Sequence, residues 1–523
     1  MAHKAVASGS IAPYEITSLD AIPSIAAKLR DTFWTNKTKD VQYRLVQLRK
    51  LYWALNDYAP QLREALMLDL KKSPHDAHVS EIDWTIGDCL FAIKNLEEWK
   101  EPFGAVLIIG TYNFPVQLNM CPLIGAIAAG CTAVLKPSES APATAMVLTE
   151  IIAKSLDPSA YTTVNGRVPE TTALLEEKWE KIFYTGGVNV AKIISKKAAE
   201  TLTPVCLELG GKNPAFVTKN ADVRLAARRL MWSKTVNAGQ VCISQNYVLC
   251  HRDVVDSLIN MMNVTYEDFF PKGAKVSPDY ARVVNVQQFD RLKAMLDHTQ
   301  GKIVLGGEMD RDELYIGPTV VLVDSADDRM IQEESFGPIW AILPYDDLDG
   351  AINTVRKVDY TPLSLMTFGS KSENEKVLNS ITSGGATIND GFMHAAVSTL
   401  PFGGVGQSGT GSYRGKHSFD CFTHRRTVVE TPSWMDGLLR VRYMPFRPAD
   451  LKQFQWMNAS KPDFDRSGKK IRGLGYWMWM VFGLGSPSAK GALFKWLFVL
   501  AGSYLAMNGP QQSVANLREM LGF

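Results

Sequence analysis

Short apolar runs that alternate with helical segments constrain the fold of this chain more than any other feature. Gly104–Gly110 reads GAVLIIG, and Cys131–Leu135 reads CTAVL before a lysine. Runs of this length without polar alternation are typical of strands buried on both faces. Helices are predicted over Pro122–Gly130 and Pro142–Lys154, one after each run. This alternation of strands and helices favours an α/β fold with a doubly wound parallel sheet.

The pattern continues for about 400 residues. Apolar residues at helical spacing predict helices from Ile22 to about Leu70 and over Glu81–Trp99. Strands are predicted at Tyr161–Val164 and Lys181–Tyr184, and a second α/β region begins near Pro204. That region is predicted to contain strands Ala215–Val217 and Tyr247–Leu249, a helix over Val223–Asn237 and, at its end, an extended strand over His417–Val429. We therefore expect domains over 1–203, 204–398, 399–431 and 432–523.

Composition excludes several classes of protein. The chain has 523 residues, of which 46% are hydrophobic, which is enough for a large core. Fifty-six Lys and Arg against 54 Asp and Glu leave a net charge of +2, so no global charge favours nucleic acid. The seven Cys include no CxxC pair and no Cys/His cluster. We therefore expect no disulfide scaffold, no metal site and a reducing compartment. Met1–Tyr14 lacks the apolar segment of an export signal.

Three polar residues are candidates for catalysis. Cys242 lies in a glycine-containing loop, NAGQVC, where a thiol can face a cleft as a nucleophile. Glu208 stands between two leucines, and an apolar setting suits a general base. Asn113 follows a buried strand, where its amide could stabilise an oxyanion. Taken singly, each has a structural alternative: a buried thiol, a surface carboxylate and a turn residue.

Two further segments indicate a phosphate-bearing ligand. Thr185-Gly186-Gly187 lies between a predicted strand and a predicted helix, which points backbone N–H groups at a phosphate. The motif is not GxGxxG, so the signal is weak by itself. Lys136 and Glu139 follow another strand and could bind a ribose, or could belong to a solvated loop.

The motifs together resemble the aldehyde dehydrogenase superfamily over about Ile22–Val429. VLIIGTYNFP, VLKPSE and LPFGGVGQSGTGSYRGKHSFDCFTHRR are similar to the class 3, fatty-aldehyde branch, and the FDRSGKK stretch near the C-terminus resembles fungal members that oxidise apocarotenals. The motifs that carry the resemblance are Asn113, Lys136–Glu139, Thr185–Gly187, Glu208–Gly211, Gly239–Cys242, Glu334–Pro338 and Pro401–Gly404.

The resemblance implies a catalytic role for each of the three candidates. Cys242 would attack the aldehyde carbon to give a thiohemiacetal and, after hydride transfer, a thioester. The Asn113 amide and the backbone N–H of Cys242 would hold the oxyanion. Glu208 would activate the water that releases the carboxylic acid. An alternative is that the acyl group passes from the thioester to coenzyme A or phosphate. Glu208 favours hydrolysis over this alternative, because it supplies the base that activates water.

The resemblance also implies a nicotinamide cofactor. Lys136 and Glu139 match the adenine-ribose ligands, and Gly186 and Gly187 match the turn beside the pyrophosphate. Glu334 and Phe336 match residues around the nicotinamide ribose and ring. Glu139 would repel a 2′-phosphate and so favours NAD, although class 3 members often accept NADP as well.

One short segment departs from the branch. Ser244–Asn246 stands where class 3 members usually show a proline and an acid. We expect this segment to reshape the substrate side of the thiol. No catalytic group is lost, which disfavours the alternative of a non-catalytic, membrane-attached protein that binds apolar ligands.

The C-terminal region has two apolar runs, Gly473–Gly485 and Ala492–Met507, each shorter than the roughly 20 residues that span a bilayer. Lys469 and Lys470 precede the first, and Trp477 lies within it. Basic residues beside Trp-rich runs are typical of attachment to a membrane interface.

We expect an intracellular, membrane-associated enzyme with its catalytic part facing the cytoplasm, acting on a fatty aldehyde or an apocarotenal. The alternative is a tail that covers an apolar funnel or dimer groove. By resemblance, the predicted strand over His417–Val429 would pair two subunits in a homodimer.

Overall fold

The computed structural model describes residues 11–96 and 103–445, and a few short stretches beyond them: 449, 453, 482, 495–497, 499–500 and 503. The chain divides into two compact units, residues 1–426 and 427–523.

Sixteen α-helices lie in the described part of the first unit. They are α1 (Ile22–Trp34), α2 (Val41–Asp57), α3 (Ala59–Leu70), α4 (Pro74–Ala77), α5 (Asp83–Asn95), α6 (Gln117–Ala129), α7 (Pro142–Ser155), α8 (Val168–Glu176), α9 (Val188–Glu200), α10 (Val223–Thr235), α11 (Val255–Phe269), α12 (Val286–His298), α13 (Arg329–Gln332), α14 (Leu348–Val358), α15 (Lys371–Ser380) and α16 (Lys416–Cys421).

Fifteen strands lie in the same described residues. They are β1 (Ala105–Ile109), β2 (Thr132–Lys136), β3 (Tyr161–Thr163), β4 (Lys181–Thr185), β5 (Val205–Glu208), β6 (Pro214–Val217), β7 (Tyr247–His251), β8 (Lys302–Leu305), β9 (Met309–Asp310), β10 (Tyr315–Ile316), β11 (Thr319–Leu322), β12 (Ile339–Tyr345), β13 (Ser364–Phe368), β14 (Gly385–Ile388) and β15 (Gly409–Thr410).

The first sheet has the strand order β15-β5-β4-β1-β2-β3, and the second has β14-β13-β6-β7-β12-β11-β8. Both are parallel except at one edge strand each, β15 and β8. The predicted fold class, parallel α/β, is therefore confirmed. In the first sheet the winding direction reverses between β1 and β4. Parallel sheets bind ligands at the carboxyl ends of the strands beside such a switch point.

The central strands are buried on both faces. In β1, Val106 and Ile108 enter one core cluster, whereas the alternate residues Leu107 and Ile109 enter another. Successive side chains of a strand point to opposite faces, so both faces of the sheet are covered. This double burial explains why GAVLIIG contains no polar alternation.

The second α/β region does not begin a new sheet at Pro204. β5 pairs in parallel with β4, with Val205 opposite Ile182 and Glu208 opposite Thr185. The first sheet thus extends to Glu208, and the second sheet opens with β6. The division of the chain into four domains stays a prediction.

The extended strand predicted over His417–Val429 is wrong in its first part. Lys416–Cys421 forms helix α16, in which Lys416 and Asp420 pair at 2.7 Å one turn apart. Phe419 and Phe422 are buried by this turn, a burial that an alternating pattern alone does not reveal. Residues 423–432 form neither helix nor strand in the single chain.

The second unit is described only in part. A 3-10 helix covers Ser433–Arg442. The apolar runs Gly473–Gly485 and Ala492–Met507 lie largely outside the described residues. Within the residues that are described, no helix combines the length and the apolar character needed to cross a membrane.

Candidate active site

The loop that carries Cys242 has an unusual backbone. Three consecutive residues after α10 have positive φ: Asn237 at 51°, Ala238 at 50° and Gly239 at 69°. Such φ values are uncommon outside glycine and asparagine and often mark functional sites. A side chain at Gly239 would clash with the carbonyl of Gly337. The turn therefore depends on a glycine and packs against the segment after Glu334.

Asn113 lies against this loop. Its Nδ2 donates to the carbonyl of Gln240 at 3.0 Å, and its own carbonyl accepts from Asn237 Nδ2 at 2.7 Å. An amide nitrogen has two N–H donors. One of them holds Asn113 beside the Cys242 loop, and the use of the other for an oxygen bound at the thiol stays a prediction.

Glu208 ends β5 with a buried side chain, so the alternative of a surface carboxylate is wrong. Its backbone carbonyl accepts from Gly186 N at 3.0 Å. Among the described residues, Oε2 has no hydrogen-bond partner. Burial, and secondarily Cys421, raises the pKa of Glu208 well above its usual range. The carboxyl therefore holds its proton to a higher pH than a free glutamate does, and Oε2 is available to a water.

The Cys242 thiol is partly exposed and borders a large cavity. Burial away from bulk water, with smaller contributions from Glu334 and Glu208, raises its pKa to about 12. The thiol is consequently protonated in this structure, and attack on a carbonyl requires removal of its proton.

The cavity beside the thiol has a volume of about 830 Å³. This size suits a drug-sized or longer apolar ligand. Eight aromatic side chains contribute to its wall, and two of them, Trp232 and Phe392, lie 4.9 Å apart between centroids. The aromatic lining consists of Trp84, Phe114, Trp232, Phe269, Phe270, Phe392, Phe402 and Tyr413.

The turn between β4 and α9 fits a pyrophosphate. Helix α9 has no side-chain cap at its first turn, so the first N–H groups lack a capping partner there. A Cβ on Gly187 would meet nothing within 4 Å, whereas one on Gly186 would clash with the Tyr184 hydroxyl. The turn is thus open on the side where N–H groups and a helix N-terminus favour an anion.

Lys136 is the last residue of β2, and Glu139 follows three residues later. Lys136 is buried, and its Nζ lies 2.9 Å from Oε2 of Glu139, which is half-buried. An ammonium and a carboxylate at this distance offer a donor and an acceptor to neighbouring hydroxyls, as on a ribose. Both residues stand at the carboxyl edge of the first sheet, together with Gly186 and Glu208.

The segment from Glu334 to Phe336 is fixed from two sides. Gly211 N donates to Glu334 Oε1 at 3.2 Å, and Arg291 donates to the carbonyls of Glu334 and Ser335 at 2.9 and 2.6 Å. Burial raises the pKa of Glu334 to about 7. Phe336, with a φ of 43°, packs edge-on against Tyr112 at 6.1 Å. The catalytic and cofactor roles of these residues stay predictions, but the fold brings their segments together.

Sequence reasoning missed Asn213, Lys234 and Arg291, which support the site from outside its motifs. Lys234 is buried, with its Nζ 3.0 Å from Ser335 Oγ and 3.5 Å from Ser244 Oγ. Burial lowers the pKa of Lys234 to about 7. The sequence does not indicate that this lysine is buried in the site, because its partner Ser335 lies 101 residues further along the chain.

The departure at Ser244–Asn246 does not face the substrate. Ile243 lines the cavity, whereas the next three residues are buried and form hydrogen bonds within the protein interior. Ser244 contacts Lys234, and Asn246 accepts from Ser335 N at 2.7 Å through Oδ1. The expected reshaping of the substrate side is therefore corrected: these residues shape the layer beneath the thiol.

Comparisons with known proteins agree with this geometry. β-Apo-4′-carotenal oxygenase of Neurospora crassa is 57% identical over 518 residues, which cover 95% of this chain and 97% of that protein. Aldehyde dehydrogenase family 3 member A2 of Mus musculus is 38% identical over 80% of this chain and 90% of its own length.

A solved structure shows the same fold. The substrate-bound state of Staphylococcus aureus AldH superposes with a TM-score of 0.78 at 38% identity, over 83% of this chain and 98% of that one. The family model described as Aldehyde dehydrogenase family matches residues 17–428. This chain therefore belongs to the aldehyde dehydrogenase family.

Proposed function

We propose that this protein oxidises long apolar aldehydes, either apocarotenals or long-chain fatty aldehydes, to carboxylic acids. One observation carries the proposal: the Cys242 thiol borders a large aromatic cavity, while an amide donor is held against its loop. Glu208, which lies close enough to act electrostatically on the thiol, supplies a base once it has lost its proton. A protein that only binds apolar ligands has no need of all three groups.

The chain's own groups account for the covalent steps. The Cys242 thiol loses its proton to solvent, and its sulfur bonds to the aldehyde carbon. The carbonyl oxygen, now an oxyanion, accepts hydrogen bonds from Asn113 and from the backbone N–H of Cys242. The nicotinamide supplies hydride acceptance when bound, which leaves a thioester on sulfur. Glu208 then takes a proton from water as the water oxygen attacks the thioester carbon. The C–S bond breaks, and the acid leaves while the thiol regains a proton.

NAD is the proposed cofactor, with NADP as a second oxidant. Membership of the family implies a nicotinamide dinucleotide. The open turn at Gly186-Gly187 fits its pyrophosphate, and the Lys136–Glu139 pair fits a ribose with free hydroxyls. The Glu139 carboxylate disfavours a 2′-phosphate, which supports NAD.

The substrate class rests on the cavity and on the relatives. The relative from Neurospora crassa is named for an apocarotenal. A wall of eight aromatic residues suits a long conjugated or saturated chain equally well. The two substrates must therefore be separated by experiment.

The C-terminal region is proposed to attach the enzyme to membranes. Lys469, Lys470 and Arg472 precede an apolar run that contains Trp477 and Trp479. Flotation with vesicles that contain anionic lipid should carry the full chain upward. Replacement of the three cations by Glu should abolish flotation, and unchanged flotation would contradict this attachment. A homodimer, measured by light scattering, is part of the same proposal.

The deciding experiment measures NADH formation by the purified protein. An apocarotenal, a long-chain fatty aldehyde and a short aldehyde are offered in parallel. Cys242→Ser should abolish turnover but retain NAD binding. Cys89→Ser serves as the matched control, because that buried thiol only donates to the Leu48 carbonyl. Turnover without Cys242, or none with any aldehyde, would overturn the proposal.

A further inference from the structure

A fully buried ion pair lies behind the wall of the active site. Lys72 Nζ is 2.7 Å from Glu81 Oε1, and neither side chain has any exposed surface. Burying two charges is costly, and such a pair is weak evidence for stability. What the two side chains touch besides each other therefore indicates their role.

Glu81 also binds the start of α6. Its second oxygen, Oε2, accepts from the backbone N–H of Val116 at 2.7 Å and of Gln117 at 3.2 Å. The first N–H groups of a helix have no partner within the helix, and its N-terminus favours a negative charge. Glu81 thus caps α6 from 35 residues away in sequence.

Lys72 binds the residue after Asn113. Its Nζ lies 4.0 Å from the centroid of the Phe114 ring, a cation–π contact in a buried setting. Phe114 lines the cavity. The two members of the pair together hold the segment Phe114–Gln117, which directly follows Asn113.

Glu81 lies in a π-helical turn, His78–Ile82, between α4 and α5. Such turns are rare and frequently occur at functional sites. Val79 and Ser80 of the same turn line the cavity, whereas Glu81 is buried against α6. Thr85 Oγ1 donates to the Glu81 carbonyl at 2.7 Å and fixes the turn from the next helix.

We infer that Lys72 and Glu81 are positioning residues that hold the Asn113 amide where the oxyanion forms. Asn113 is fixed on one side by β1 and by its bonds to the Cys242 loop. The buried pair fixes the chain on the other side. The inference rests on the proposed function, because it assigns a purpose to Asn113 in that reaction.

A double-mutant cycle tests the inference. Glu81→Gln keeps the shape but leaves Lys72 without its carboxylate. It should lower kcat/KM for the aldehyde by about tenfold or more at saturating NAD, since a small misplacement of a catalytic donor is costly. In an Asn113→Ala background the same substitution should lower kcat/KM by less than about twofold. Lys72→Met should show the same dependence on Asn113.

A stability control separates positioning from general damage. Val355 is buried in α14, within the core of the second sheet. Val355→Ala weakens that core without touching Asn113 and should leave kcat/KM within about twofold at a temperature well below unfolding. Equal losses from Glu81→Gln with and without Asn113 would overturn the inference and leave the proposed function intact.

A second readout does not depend on turnover. Amide hydrogen exchange at Val116 and Gln117 should quicken in Glu81→Gln but not in Val355→Ala. Unchanged exchange in Glu81→Gln would overturn the inference. A wild-type protein without Cys242-dependent turnover would instead contradict the proposed function, and with it the role given to Asn113.

Discussion

Asn213 donates its side-chain amide to the carbonyl of Cys242 at 2.7 Å. The same nitrogen donates to Ser244 at 2.9 Å, and Oδ1 accepts from Ser364 N at 2.8 Å. One buried amide therefore joins the Cys242 loop to strand β13 of the second sheet. The backbone that carries the thiol is thereby held in place, and the backbone N–H groups of Cys242 and Ile243 contact the sulfur itself.

Asn213→Asp should damage both activity and stability. A carboxylate has no donor, so it would face the carbonyls of Cys242 and Ser244 with unbonded oxygens. We expect kcat to fall by about tenfold or more and the free energy of unfolding by about 1–3 kcal/mol. NADH formation and thermal unfolding measure the two effects. Asn353→Asp, on an exposed position of α14, is the control, and equal behaviour of the two variants would contradict this role.

Activity should rise with pH. Burial is the main cause that raises the pKa of Glu208 well above its usual range and the pKa of Cys242 to about 12. Each needs its deprotonated form for catalysis, and that form grows as pH increases. Turnover should therefore increase from pH 6 to pH 9. A rate that falls over this range would contradict the assignment.

Glu208→Gln should separate the two halves of the reaction. The amide cannot take a proton from water, so steady-state turnover should fall by about 10²–10⁴-fold. A rapid first burst of NADH should persist, because acylation of Cys242 does not need Glu208. Loss of the burst together with turnover would contradict its role in hydrolysis. Glu170→Gln, at a buried capping position of α8, is the matched control.

The local sequence pattern was sufficient to predict the central strands. It was not sufficient to predict which strands pair with them. β1 and β2 are buried on both faces, so their sequence carries the signal. β5 belongs to the first sheet through β4 and β15, a long-range pairing that its own four residues do not specify. α16 depends on the burial of Phe419 and Phe422, which is a tertiary effect.

The candidate site shows the same division. Cys242, Glu208 and Asn113 could be identified from the sequence, because each lies in a short motif that carries the resemblance to the family. Asn213 and Lys234 are held by contacts across the fold, to Ser364 and Ser335 respectively. No spacing along the chain relates these partners, so only the folded structure reveals them.

Glu139→Gln should shift the choice of cofactor. The substitution removes a negative charge from the ion pair with Lys136 and leaves a hydrogen-bonding group. We expect kcat/KM with NADP to rise about tenfold, because the 2′-phosphate no longer meets a carboxylate. Steady-state rates with both cofactors measure the ratio. Glu177→Gln, at the end of α8 away from Lys136, should leave the ratio unchanged.

Lys234→Met should stabilise the protein most at low pH. Burial lowers the pKa of Lys234 from 10.5 to about 7. Between these values the unfolded chain binds more protons than the folded one, so wild-type stability rises with pH through this range. Below about pH 7 the full cost of burying the charge is present. The advantage of the methionine variant should therefore shrink by about 3 kcal/mol from pH 6 to pH 9.5.

Thermal unfolding at the two pH values measures this change. Lys371→Met replaces a side chain that is 90% exposed and should show no such pH dependence. The effect arises because Ser244 and Ser335 offer only hydroxyls to the ammonium, and Glu334 raises the pKa of Lys234 by less than burial lowers it. An Asn246→Asp variant places a carboxylate in the layer beneath the thiol and should diminish the pH dependence in the wild-type background. If Lys234→Met stabilised the protein equally at both pH values, the lowered pKa of Lys234 in the folded state would be contradicted.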